Sequence, residues 1–107
     1  MRKQERSYRL IDAATAFLTL ARVIRILLID DDAKLRRTCA NLLRSEGYEI
    51  FEAPDGKAGV QAAQKEHPDL VICDVNMPGM NGHAVITALR AEDALLRIPF
   101  IFLTGEN

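Results

Sequence analysis

Three observations predict an α/β domain with a parallel sheet and helices on both of its faces. Short, wholly apolar runs recur at Ile26-Leu27-Leu28-Ile29, Leu70-Val71-Ile72-Cys73 and Phe100-Ile101-Phe102-Leu103. Each is too short for a helix and is bounded by turn formers, so it reads as a strand buried on both faces. The stretches between them place apolar residues at helical spacing, and alternation of strand with helix is the pattern of a parallel sheet. Each run also ends on polar residues: Asp30-Asp31-Asp32, Asp74, and Thr104-Gly105.

Residues 7 to 21 open the chain with Leu10, Ile11, Ala14, Phe17, Leu18 and Ala21 on one helical stripe, with Arg9 and Asp12 flanking it and Ser7 placed to cap it. After the first strand, Asp32 is placed as N-cap of a helix running to about Glu46. Leu35, Cys39, Leu42 and Leu43 form its expected buried face, and Gly47 ends it. Glu49 to Ala53 is a short second strand, followed by a turn at Pro54-Asp55-Gly56. Lys57 to Glu66 predicts a weaker helix on Ala58, Val60, Ala62 and Ala63, stopped before His67-Pro68. The third strand brings Asp74. The loop after it, with Pro78, Gly79, Asn81 and Gly82, leads to a helix from His83 to about Glu92 with Val85, Ile86 and Leu89 inward. Ile98-Pro99 introduces the fourth strand.

At 107 residues the chain holds one domain, 49% hydrophobic and 27% charged, as in ordinary globular proteins. A net charge of −1 gives no general pull toward nucleic acid or an anionic membrane. The basic excess of residues 1 to 25, six Lys or Arg against two acids, reads as a solvated helix face. Cys39 and Cys73 sit in apolar contexts and read as small core residues, in keeping with a reducing cytoplasm. Leu10 to Ala21 is too short and too interrupted to span a bilayer, so the expected location is cytoplasmic.

Two parallel strands that end on Asp30-Asp31 and on Asp74 bring their carboxylates to one crevice. Two such charges about 4 Å apart repel by roughly 4 kcal/mol at an effective dielectric of about 20, so the cluster calls for a cation. Hard oxygen donors suit Mg2+, which also binds phosphoryl oxygens. With Thr104 at the same rim, the set reads as a site for a phosphorylated carboxylate.

Asp30-Asp31, the D-x-x-M-P-x-x-N-G string from Asp74 to Gly82, and Leu103-Thr104-Gly105 resemble the receiver domain of bacterial two-component response regulators, the chemotaxis type. The likeness runs from Arg25 to Asn107 and divides the chain into an N-terminal amphipathic helix, 1–24, and a receiver domain, 25–107. It implies a flavodoxin-like sheet of order 2-1-3-4. It also implies a phosphoacceptor module that takes a phosphoryl group from a histidine kinase or phosphotransfer protein onto Asp74, rather than an enzyme with turnover. By the same resemblance Asp31 ligates Mg2+ directly and Asp30 through water. The backbone carbonyl of Asn76 and Asp74 complete the metal set, and Thr104 hydrogen-bonds a phosphoryl oxygen.

Receivers continue beyond the strand that carries Thr104 into a further helix, strand and helix, whereas this sequence ends at Asn107. The family's Lys and aromatic switch residue on that later strand have no counterpart in it. The fourth strand is then expected to be an exposed edge, and the N-terminal helix to cover the open face or to join a homodimer; the fourth strand itself is a second route to a homodimer. The downstream protein partner is unknown. Two other readings compete. One is a receiver-like scaffold that does not switch. The other is a phosphatase resembling the haloacid dehalogenases, with Asp30 as nucleophile and Asp32 as acid/base, which leaves the Asp74 loop unexplained.

Overall fold

The computed structural model describes Ala13 and residues 22–103. β1 (Arg25–Ile29), β2 (Glu49–Ala53), β3 (Leu70–Asp74) and β4 (Phe100–Leu103) form one sheet in the order β2-β1-β3-β4. Every pairing in it is parallel. Between them run α1 (Ala33–Ser45), α2 (Gly56–Glu66) and α3 (Gly82–Arg90). This is the expected fold class and strand order. The expected helix over 7–21 and Thr104 lie outside the described residues, apart from Ala13, which is helical and exposed.

The side chains of β1 divide by parity. Leu27 and Ile29, with Val71 and Cys73 of β3, pack against Ala63 of α2 and Val85 and Leu89 of α3. Ile26 and Leu28 pack with Ile50 against Ala40 of α1 on the other face. Each helix begins on a side-chain cap, which satisfies a backbone N–H that has no helical partner. Asp32 accepts from the Leu35 amide at 3.0 Å, Asp55 from that of Ala58 at 2.8 Å, and Asn81 from that of Ala84 at 2.9 Å. α2 therefore starts at Gly56, one residue before the sequence expectation, because Asp55 caps it rather than only turning the chain. α3 likewise starts at Gly82 and ends at Arg90, and the irregular segment after it contributes Leu95, which is fully buried.

Three burial expectations need correction. Leu35 and Leu42 are exposed and Cys39 is only half-buried, while the fully covered residue of α1 is Ala40. The apolar stripe of α1 is wider than the strip of sheet it covers, so one flank of the stripe overhangs. β3 is buried on both faces only in part: Leu70 and Ile72, on the α1 side, are half-buried, because α1 lies chiefly over β2 and β1. On β4, the edge of the sheet among the described residues, Ile101 is exposed.

Candidate functional site

Parallel register brings the acids together. Ile29 pairs with Cys73, so the next residues, Asp30 and Asp74, emerge side by side at the carboxyl end of the sheet. One carboxylate oxygen from each of Asp30, Asp31 and Asp74 lies within 4.8 Å of the other two. Asp30 is 2% exposed, Asp74 is half-buried and Asp31 faces solvent. They line a cleft of about 510 Å³ together with Asp32, Asn76, Leu35, Cys39 and Leu103.

Asp30 is held from three sides. Its amide donates to the Ala53 carbonyl at 3.1 Å, and its Oδ1 accepts from the Asp32 amide at 3.0 Å. Its carbonyl accepts from Arg36 Nη1 at 2.7 Å. Arg36 thus serves the backbone of Asp30 and, through Nε, the carboxylate of Glu52 at 3.2 Å. Among the described residues no Lys or Arg forms an ion pair with Asp30, Asp31 or Asp74. Burial pushes the Asp30 carboxyl above its ordinary range. The Asp32 amide pulls the other way, and the negative charges of Asp74, Asp31 and Asp32 add to the rise. Burial, and then the same acids Asp74 and Asp30, push the Cys73 thiol up to about 12. Cys73 therefore stays protonated, and its Sγ donates to the Asp74 carbonyl at 3.2 Å.

The donor set fits a small hard divalent cation. It consists of carboxylate oxygens within a few ångströms, one of them buried and disfavoured as a bare charge, with no cationic side chain to offset them among the described residues. Asn76 is exposed and on the cleft wall, with its backbone at the mouth of the β3 loop. The Asp32 carboxylate caps α1 through Oδ1, the structural role its place in the sequence predicts. Lys34 and Lys57 are exposed and form no ion pair among the described residues.

The loop from Val75 to Asn81 is shaped by close packing. Met77 is buried in the core. Gly79 takes φ +75°, the left-handed region that glycine enters without strain. A Cβ on Gly82 would lie 2.5 Å from the Asp74 carbonyl oxygen, so only glycine lets α3 start this close to the end of β3. Two features escaped the sequence reading. Met80 packs over Gly56, where a Cβ would meet the Met80 carbonyl at 2.7 Å, which joins the loop to the start of α2. His83 stacks on Phe102 with ring centroids 4.8 Å apart. Neither contact has a sequence signal, because each depends on segments from separate elements meeting in the fold.

The Response regulator receiver domain family matches residues 26–107. Among curated proteins, the chain is 41% identical over 86 residues to the "Probable transcriptional regulator ycf27" of Galdieria sulphuraria, covering 80% of this chain and 32% of that protein. It is 39% identical over 83 residues to the DNA-binding response regulator MtrA of Mycobacterium tuberculosis, covering 78% of this chain and 35% of that one. The chain thus spans about a third of the length of the curated relatives it matches. Among solved structures, chemotaxis protein CheY4 of Vibrio cholerae superposes with a TM-score of 0.77 at 34% identity, over 80% of this chain and 72% of that one. With the sheet order, the acidic cleft and these matches in agreement, the chain belongs to the response regulator receiver domain family.

Proposed function

We propose that this domain is a phosphoacceptor and that Asp74 receives the phosphoryl group. The observation that carries the reading is the convergence of Asp30, Asp31 and Asp74 at one rim of the sheet. An Asp74 carboxylate oxygen attacks the phosphorus of a donor, a phosphohistidine of a histidine kinase or phosphotransfer protein. The new O–P bond forms as the donor's P–N bond breaks, leaving an acyl phosphate on Asp74 that water later hydrolyses. Asp30, Asp31, Asp74 and the Asn76 carbonyl would hold Mg2+. When bound, the ion offsets the negative charge of the phosphoryl oxygens.

Each residue has its part. Asp31 and Asp74 line the cleft and would offer carboxylate oxygens to a hydrated ion. Asp30, pinned by the Asp32 amide, keeps its second oxygen for the ion or its water. Thr104 follows directly on β4 and is assigned the hydrogen bond to a phosphoryl oxygen. Gly82 and Gly79 let the loop close around the acceptor.

Receiver domains are signalling modules, and we assign this one no turnover chemistry. We keep the division into a helical segment, 1–24, and a receiver, 25–107. The output partner is a protein not named by these residues. DNA binding, in the name of MtrA, belongs to that whole protein, and the net charge of −1 supports no nucleic-acid contact by this domain. Among the described residues no helix is long and apolar enough to cross a membrane, and a cytoplasmic site of action agrees with the proposed donor.

Intact-mass measurement with acetyl phosphate and Mg2+ tests the reading. The expected result is a gain of one phosphoryl group that needs the metal and is absent in Asp74→Asn. No gain in the native chain, or an equal gain in the variant, overturns it.

A further inference from the structure

The backbone of Asp30 lies where the pairing of β1 with β2 runs out. β1 ends at Ile29, level with Ala53, the last residue of β2. The Asp30 amide still donates to the Ala53 carbonyl at 3.1 Å. Its own carbonyl, one step further, meets a strand that has ended: Pro54 has no N–H to give, and Asp55 already caps α2. Asp30 is almost fully buried, and a buried carbonyl needs a donor.

Arg36 supplies that donor. Its Nη1 donates to the Asp30 carbonyl at 2.7 Å, the length of a charge-assisted bond, while its Nε donates to the Glu52 carboxylate at 3.2 Å. Arg36 is 12% exposed and Glu52 14%, so the bridge is largely shielded from water. Adjacent residues of β2 therefore hold the Asp30 backbone on both sides, Ala53 through its carbonyl and Glu52 through Arg36. A third point comes from the Asp30 carboxylate itself, whose Oδ1 accepts from the Asp32 amide at 3.0 Å. Together these bonds fix the oxygen that Asp30 keeps for the acidic cluster. Arg37 offers a natural contrast. It pairs with Glu52 at the same 3.2 Å but is 64% exposed, and its side-chain hydrogen bonds among the described residues go to Glu52 alone.

We propose that Arg36 is a positioning residue of the cation site: by holding the Asp30 carbonyl, with Glu52 as its anchor, it sets where the Asp30 carboxylate meets the metal. The inference rests on the Mg2+ reading given above and involves only β1, α1, β2 and the residues that join them. Loss of a group that orients a metal ligand typically weakens affinity by about 10- to 100-fold. Charge counting alone predicts the opposite sign, because removing a cation from beside three acids should tighten their hold on Mg2+.

Mg2+ is titrated into the full chain and followed by the backbone amide NMR signals of the cleft residues, which also show whether each variant is folded. Arg36→Met should raise Kd about tenfold. Arg36→Lys keeps the charge but replaces the planar fork with a single ammonium, and should raise Kd about threefold. Arg37→Met loses a matching pair with Glu52 and should stay within about twofold of the native chain. An unchanged or lower Kd in Arg36→Met overturns the proposal and leaves the metal site standing. An equal rise in Arg37→Met also overturns it, since the effect then belongs to the Glu52 pairs in general. If Arg36→Met does not fold, Arg36→Lys against Arg37→Met decides on the same terms. A native chain that binds no Mg2+ overturns the metal reading and this proposal with it, a result distinct from all the others.

Discussion

Asp30 is the residue at which stability and binding conflict. Its carboxylate is buried beside two other acids, and its raised pKa means that the folded chain prefers it protonated. The stabilising contribution of the protonated form is complete below the ordinary aspartate value of 3.8 and is lost as pH rises through the higher folded value. Asp30→Asn should therefore stabilise the metal-free chain at neutral pH by about 1 kcal/mol, a gain that fades in acid, while weakening Mg2+ binding. Thermal unfolding across pH, with and without the metal, checks both halves. Gly82 is the second decisive residue, because a side chain there must displace backbone at 2.5 Å. Gly82→Ala should cost about 2 kcal/mol by overpacking, read by urea denaturation.

At the scale of elements, α1 is clamped to β2 by one acid and three bases. Glu52, 14% exposed, accepts from Arg36 Nε, Arg37 Nε and Arg44 Nη1, each at 3.2 Å. Burial alone would raise its pKa. Hydrogen bonds from Arg37 and Arg36, the charge of Arg37 and the hydrogen bond from Arg44 outweigh burial and hold it below the ordinary 4.5. A lowered folded pKa means that the clamp stabilises above the unfolded value and is lost as pH falls through the folded one. Glu52→Gln should lose about 2 kcal/mol at neutral pH, a loss that shrinks as pH falls through the lowered folded pKa, which urea unfolding in a series of increasingly acidic buffers would reveal. Sequence alone showed the helix and the strand but not this clamp. Arg36, Arg37 and Arg44 read as ordinary helix-surface charge until β2 is laid against them. Helix starts were legible to within a residue: Asp32 reads as a cap, whereas Asp55 and Asn81 read only as turn and loop residues and cap helices that start one residue earlier than expected.

For the whole molecule, the acidic cleft exists only in the folded chain, since its carboxylates come from the ends of β1 and β3, with two helices and β2 between them in the chain. Mg2+ should therefore raise the melting temperature, with a stabilisation of about 2.7 kcal/mol when its concentration is a hundredfold above Kd. Asp31→Asn should remove most of that rise while leaving the metal-free melting temperature nearly unchanged, since Asp31 is exposed. A differential scanning series in Mg2+ compares the two chains. The partial cover of the α1 face belongs to this scale too: α1 lies over β2 and β1, and no single residue of α1 reveals that β3 is left half-buried.

The residues by themselves determined the alternation of strands and helices, the Asp32 cap, the glycines of the Asp74 loop and the acids at the strand ends. Those are properties of short segments, governed by spacing and by backbone chemistry. Tertiary structure alone decided that Ile29 lies level with Cys73, that Arg36 turns from the carboxylates to the Asp30 carbonyl and Glu52, and that Leu42 stands exposed above an apolar groove. Each depends on distances between elements far apart in the chain, which packing sets and local pattern does not encode.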